Sequence, residues 1–267
     1  MVIKISGADY SANPVRQIDI PVEFEAETTA YATRIPVAYA AMTATKKKAL
    51  NTFIKGLKTN GLLAKINGLY LPIFGQTEGG VNLKTPTFNV GLPASGVVAT
   101  YDSKGILFLQ GWLYPPNESW ADIHCGFYNT TSNADNSGFR IGWGKSGQTF
   151  SLANRRGNSS STGLLFATGW TAQLPNHVAS IGPVIGSHIS ATKFIGCAID
   201  GEYTENISTS TLPTFSAATI IGGTAVGANT NALAQPIGLL TTGTALNQAQ
   251  ATTYAALQTT LMTALMA

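Results

Sequence analysis

Apolar residues recur at two different spacings along this chain, and the changes of spacing divide it into segments. Near the start, Val2-Ile3-Lys4-Ile5, Ile18-Asp19-Ile20 and Val22-Glu23-Phe24-Glu25 alternate apolar with polar, the period of a strand with one buried face. Asn13-Pro14 marks a turn between them. From residue 43 the period lengthens. Leu50, Phe53, Ile54 and Leu57 fall at i, i+3, i+4 and i+7, which predicts one stripe of an α-helix. Thr43 or Thr45 can cap its start, and Asn60-Gly61 can stop it, because both residues tolerate a left-handed backbone. Leu62, Leu63, Ile66 and Leu69 predict a second short turn or helix. Tyr70 to Phe74 reads as extended, with Pro72 arguing against a central strand.

Between residues 86 and 243 short apolar runs alternate with clusters of Gly, Asn, Ser and Pro. The runs are Val97 to Thr100, Gly105 to Leu113, Ile123 to Tyr128, Phe139 to Trp143, Thr149 to Leu152 and Gly163 to Ala167. They continue at Val178 to Ile181, His188-Ile189, Lys193 to Ile199, Ala218 to Ile221 and Ile237 to Leu240. Many short strands at near-regular spacing predict a sandwich or barrel. Asp200-Gly201 before Tyr203 predicts a tight hairpin. Helical spacing returns with Tyr254, Leu257, Leu261 and Leu265, and Asn247 can cap that helix. The expected fold class is mainly β: an antiparallel β-sandwich with an N-terminal helical segment and a C-terminal helix. Residues 1–85 would carry the strands and the helical attachment segment, and residues 86–267 the sandwich and its closing helix. That helix would dock on the sandwich or on a neighbouring subunit.

Composition narrows the function classes. The chain has 267 residues, of which 11% are charged, against roughly 25% in an ordinary soluble domain. Gly, Ser, Thr, Asn and Ala replace the missing charges. Such a nearly neutral surface suits a protein packed into an assembly or working outside a cell. A net charge of +3 is too small to predict a nucleic-acid partner, and Lys46-Lys47-Lys48 reads as a solvated helix face. Met1 to Tyr10 lacks the layout of a secretory signal. No apolar run has the length needed to span a bilayer, so no membrane insertion is expected. Cys125 and Cys197 read as two small buried residues; pairing would require a close approach that spacing cannot show.

Little in the chain suits catalysis. It offers 13 carboxylates and three histidines. Glycoside hydrolysis needs two converging carboxylates. Glu202 and Glu205 are three apart, which puts them on opposite faces of a strand, and a solvated hairpin tip explains them. Glu23 and Glu25 share a face that solvent also explains. His124, His177 and His188 are scattered, and no serine sits in a Gly-x-Ser-x-Gly elbow. His124, between Ile123 and Cys125, reads as a buried strand residue. Asp122 would share its face, so the two could bond. Gly79-Gly80 and Gly222-Gly223 lack the context of a phosphate loop. Asp102, Asp122, Asp135 or loop carbonyls leave calcium ligation open, although they lack EF-hand spacing. No catalytic residue, metal or cofactor is expected.

Aromatic residues are the better candidates for binding. Sugars present apolar C–H faces beside hydroxyls, so an aromatic next to Asn or Asp makes a platform. Trp112, Tyr114 and Trp120 flank Pro115-Pro116-Asn117. Cores claim aromatics at i and i+2 such as Trp112 and Tyr114 more often than sugars do, and Trp120 is the one expected to be exposed. The loops Tyr128 to Ser137 and Asn154 to Thr162 are rich in hydrogen-bonding groups and fit either a recognition rim or a spacer. The glycan-binding candidates are Trp120, Tyr114, Asn117, Asn129, Asp135 and Arg155.

The run Ala49 to Tyr70 resembles the helical segment that precedes concanavalin A-like (laminin-G-like) domains in tailed-phage and prophage structural proteins. Asn82-Leu83-Lys84-Thr85-Pro86-Thr87-Phe88 matches the step that follows it there, and Ala245 to Leu261 matches their closing helix. Lys193 to Thr204 resembles their Asp-Gly hairpin. The resemblance covers residues 43–267 and departs from the pattern at Leu63 and Asn67, where Trp and Asp are usual. It implies a lectin-like jelly roll in a virion component of the tail-fibre, tail-tip or head-decoration type, made in the host cytoplasm. The implied role is non-enzymatic contact with host glycan or with other virion proteins. A homo-oligomer, a trimer by preference, is expected, since the helix at 45–60 offers a stripe that one sandwich need not cover. A glycan-degrading enzyme on the same fold and a bacterial surface adhesin are the alternatives, and the missing signal argues against the second.

Overall fold

The structure is a computed structural model. It describes residues 24–84, 100–107, 111–113, 122–131, 141–145, 148–152, 162–166, 169–174, 181–190, 193–198, 201–206, 219–221 and 236–267. The first elements are helical: α1 (Ala26–Ala32), α2 (Pro36–Ala41) and α3 (Ala44–Thr59). A 3-10 turn at Leu63–Lys65 leads into β1 (Ile66–Tyr70), and a second at Pro72–Phe74 into the one-turn α4 (Gly75–Glu78). The strands β2 (Thr100–Asp102), β3 (Gly105–Leu107), β4 (Gly111–Leu113), β5 (Ile123–Asn129), β6 (Ile141–Lys145) and β7 (Gln148–Leu152) follow. After them come β8 (Thr162–Phe166), β9 (Gly169–Leu174), β10 (Gly182–Ser190), β11 (Lys193–Ala198) and β12 (Gly201–Asn206). The chain ends with β13 (Thr219–Ile221), β14 (Ile237–Gly243) and α5 (Gln248–Met266).

The strands form two antiparallel sheets. One has the order β12-β11-β10-β5-β14-β3-β2, with β1 also paired to β14, and the other the order β4-β13-β6-β7-β8-β9. Backbone contacts of β5 with β6, β10 with β7 and β12 with β9 bring the sheets face to face. α5 lies along β10 and β11 on the other side of the larger sheet, and α3 packs on α5. The result is a β-sandwich with helices at both ends of the chain layered over one sheet.

Local chemistry explains the helices. The Thr43 hydroxyl accepts the Lys46 N–H at 3.3 Å to start α3. At its end the Leu62 N–H donates to Leu57 O at 2.8 Å and the Gly61 N–H to Lys58 O at 3.0 Å, with Gly61 at φ 66°, a Schellman closure. A reciprocal capping box opens α5, with Asn247 Oδ1 accepting from Gln250 N and Gln250 Oε1 from Asn247 N. The α3 stripe of Leu50, Phe53, Ile54 and Leu57 is buried, as are Tyr254, Leu261 and Leu265 of α5. Tyr128, Ile185, Ile195, Cys197 and Leu239 of the larger sheet join them in one core.

Several expectations change here. Residues 1–23 lie outside the described residues, and with them most of the predicted first strands. The last of these does not continue as a strand: Glu25 is the N-cap position of α1, and α1 and α2 follow with a turn at 33–35 between them. α2 is six residues long and has no side-chain cap from its own first turn. Its start is held from across the chain, because Glu78 Oε1 accepts the Val37 N–H at 3.0 Å and Oε2 the Ala38 N–H at 2.5 Å. Glu78 is 6% exposed. Glu78→Ala is expected to lower stability by about 2 kcal/mol, because it leaves two helix-start amides without their charged acceptor. Urea unfolding measures this, and Glu78→Gln, which keeps one carbonyl acceptor, should lose less.

The predicted helical turn through Ile66 and Leu69 is instead β1, and Pro72–Phe74 is a 3-10 turn. β1 is a strand because β14 offers it an antiparallel edge, with Leu69 opposite Thr241 and Tyr70 opposite Leu240. Asn82 closes its other edge. The Asn82 side chain accepts from Leu69 N and Lys84 N and donates to Asn67 O, while the Leu83 N–H donates to Leu69 O at 2.7 Å. The Asn-Leu-Lys step thus blunts an edge that would otherwise present open backbone. β9 was not expected at all; of the run expected at Val178 to Ile181 only Ile181, just ahead of β10, is among the described residues. All residues of β5 and β14 and the first seven of β10 are buried, since one face meets the other sheet and the other meets α5. Pro183 is tolerated in β10 because β11 pairing begins only at Val184. The predicted hairpin stands, with Ala198 opposite Gly201, so Gly201 begins β12.

Candidate functional site

The strand ends decide where the predicted binding residues emerge. In the smaller sheet Gly111, Ile221, Ile141 and Leu152 lie in one cross-strand row. The chain enters the Asp135 segment from the end of β5 and leaves it at Ile141, and it enters the Arg155 segment from Leu152. Both segments therefore leave the same end of the smaller sheet. The segment with Tyr114, Asn117 and Trp120 departs from Leu113, which pairs with Thr219 at the opposite end of β4. Tyr114, Asn117, Trp120, Asp135 and Arg155 themselves lie outside the described residues. Asn129 is described, and it corrects the loop-rim expectation for that position. It is the last residue of β5, paired with Gly182 and Ile237 and 0% exposed. Its side-chain amide points to no partner.

The groups with acid–base chemistry are committed to structure. Glu25 and Glu27 both bind Lys58 Nζ, at 2.7 and 3.0 Å, on the outside of the helical layer. The Lys58 hydrogen bond holds the Glu27 carboxyl below its usual range, and the two carboxylates raise the Lys58 ammonium. Glu78 holds α2. Asp122 Oδ1 accepts the Ala245 N–H at 3.0 Å. These four carboxylates leave no pair converging in a groove among the described side chains. Glu202 and Glu205 pair in register with Cys197 and Phe194 of β11. No group of three metal-ligating side chains occurs among the described residues. No helix there is long and apolar enough to cross a membrane.

His124 is the one buried histidine whose partners are fully visible. Its Nδ1 lies 2.6 Å from Thr244 O and so carries the proton it donates there, which leaves Nε2, 3.3 Å from the Thr241 hydroxyl, as acceptor. The ring meets Tyr254 edge-on, with centroids 6.2 Å apart. Burial depresses the imidazole to about 4. The expected pairing of Asp122 with His124 does not form. The two instead grip successive residues of the β14–α5 joint. Ser187 Oγ accepts the Leu246 N–H at 2.8 Å and Lys65 Nζ donates to Ala245 O at 2.9 Å, so side chains from the start of β5, from β10 and from the first 3-10 turn meet there. Nothing in the sequence around Lys65 or Ser187 signals this role.

His188 is buried opposite Ile123, on the other face of the sheet from His124, which is opposite Ser187. His177 lies outside the described residues. Cys125 and Cys197 are buried thiols that form no disulfide. They pair across β10 with Gly186 and Ile185, neighbouring positions that face opposite ways, so no disulfide can join them. Burial raises the Cys125 thiol well above its usual range. Of the lysine triplet, Lys48 is exposed and Lys47 sits 4.8 Å from the Tyr39 ring centre. The apolar stripe of α3 is covered by α5, which removes the reason given above for self-association through it.

No protein-family model matches the chain, and no curated protein matches it. Solved structures resemble it in architecture. A Trypanosoma rangeli sialidase in complex with 2,3-difluorosialic acid aligns with a TM-score of 0.53 at 11% identity, over 80% of this chain and 40% of that one. Domain 4 of an extracellular arabinanase from Geobacillus stearothermophilus, in complex with arabinotriose, aligns with a TM-score of 0.49 at 13% identity, over 72% of this chain and 98% of that one. A Bacillus licheniformis β-glucanase reaches 0.33 at 7% identity, over 66% and 94%. This chain thus spans well under half of the sialidase, and at such identities the sialidase likeness concerns the fold and not the activity.

Proposed function

We propose that this chain is a non-enzymatic structural protein of a tailed-phage virion, in which a concanavalin-like jelly roll contacts host glycan or neighbouring virion subunits. The observation that carries the proposal is the layering. α3 and α5 cover the outer face of the larger sheet and tie the attachment segment rigidly to the sandwich. That leaves the smaller sheet and the segments between strands for recognition. The helix, the Asn-Leu-Lys step, the sandwich and the closing helix occur in the order of the phage domains that the sequence resembles. The carboxylates with described side chains all serve as structural acceptors, which supports binding over turnover. The protein would act in the virion as a homo-oligomer, with a trimer favoured.

A glycan array with the purified chain tests the contact. Sialosides belong on it, because the sialidase of similar fold holds a sialic acid derivative. Saturable binding that Trp120→Ala abolishes is the expected result, with Arg155→Ala less affected because its segment leaves the opposite end of the sheet. Silence on the array with a stable oligomer would leave the assembly role alone. Release of reducing sugar from any array ligand would overturn the non-enzymatic reading and favour the glycan-degrading one.

A further inference from the structure

We propose that the joint between β14 and α5 is an acid-sensitive latch, in which protonation of His124 loosens the C-terminal helix from the larger sheet while the β5–β10 pairing holds. The geometry carries this. Each hydrogen bond and ring contact that the His124 side chain makes is with the C-terminal segment: Thr241, Thr244 and Tyr254. The neighbouring backbone of that segment is held by Asp122, Ser187 and Lys65. Movement of residues from Thr244 onward would hydrate the ring without parting β5 from β10.

The one carboxylate acting on an imidazolium here is Asp122, and its effect is small. α5 contains no charged residue. β10 faces the ring with Ser187, and β14 with threonines. Asp122 is exposed and already accepts from Ala245. Desolvation outweighs the Thr244 carbonyl, which favours the charged ring, and Lys65 opposes that charge while Asp122 favours it weakly. Protonation would also turn Nε2 from acceptor to donor and force the Thr241 hydroxyl to reverse. Burial adds to this by holding the group near 4, against 6.5 when free. The closed form therefore binds the proton less well than the open form. The contribution of neutral His124 is whole above about pH 6.5 and shrinks as pH falls, until it is lost below about 4. Over that window the opening constant should rise by up to about 300-fold.

Amide hydrogen exchange of the intact chain between pH 7 and pH 4, corrected for intrinsic rates, tests the latch. Protection of Thr244, Ala245, Leu246 and the α5 amides should fall by up to about 100-fold at pH 4, where the ring in the closed form is half protonated, while β5 and β10 amides keep theirs. His124→Asn, whose amide can replace the Nδ1 donor, should remove the step. If that variant does not fold, the ring resonances of His124 in the unaltered chain serve instead, and their titration must coincide with the step. Equal loss of protection in β5 and α5, a step that persists in His124→Asn, or a His124 titrating above pH 6 would each overturn the proposal.

Discussion

Tyr254→Ala is expected to lower folding stability by about 3–5 kcal/mol, as large aromatic truncations in packed cores do. Tyr254 is 0% exposed. It stacks on Phe53 of α3 with ring centroids 6.4 Å apart and meets His124 of β5 edge-on. One side chain therefore links the helical layer, the closing helix and the central strand. In a chain of this size the loss corresponds to a drop in Tm of roughly 10 °C. Tyr254→Phe should behave differently. The hydroxyl approaches Thr241 and Gln258 without a well-formed bond, and burial pushes it up to about 12. Its removal should cost about 1 kcal/mol or less. Thermal unfolding of both variants checks the contrast. An unchanged Tm for Tyr254→Ala would mean that α5 does not pack where it is described.

Gly243→Ala should be nearly as damaging, at about 3 kcal/mol. A methyl group there would come 2.0 Å from Lys65 O, 2.7 Å from His124 Cε1 and 2.9 Å from Ile66 Cα. Two of those atoms are backbone, so β1 would have to part from β14 at the Ile66–Gly243 pair. Gly56→Ala is the informative comparison. There the obstacle is Leu257 Cδ2 at 2.5 Å, the free end of a side chain between α3 and α5, and alanine also favours the helix by about 1 kcal/mol. Urea titration should therefore show a much smaller loss for Gly56→Ala. Equal losses would contradict the packing of β1 on β14.

These two positions mark the limit of what patterning shows. α3 is legible down to its Thr43 cap and its Asn60-Gly61 stop, and α5 down to Asn247, because a helix is written by residues within about four positions of each other. α1 and α2 were missed for the opposite reason, since Glu78 holds the start of α2 from about forty residues away. β5 and β14 appear as apolar runs. β10 shows only at His188-Ile189, because its buried Gly, Pro, Ser and His positions give neither alternation nor a long apolar stretch. His124 reads correctly as a buried strand residue from its apolar neighbours, but its link to Thr244 could not be foreseen. The binding candidates sit together in the sequence reading only because they share loop chemistry. The register of β4 with β13 separates their points of departure.

By itself the sequence determined α3 and α5 with their caps, many of the strand runs, the antiparallel character and the scarcity of reactive groups, for all of these depend on near neighbours and composition. Tertiary structure alone decided that α5 lies between α3 and the sheet, that Asn82 closes the edge of β1, and that His124, Ser187 and Lys65 meet at one joint. Lys65 and Ala245 are 180 residues apart in the chain. Contacts of that range depend on which faces bury one another, a choice that no local period records.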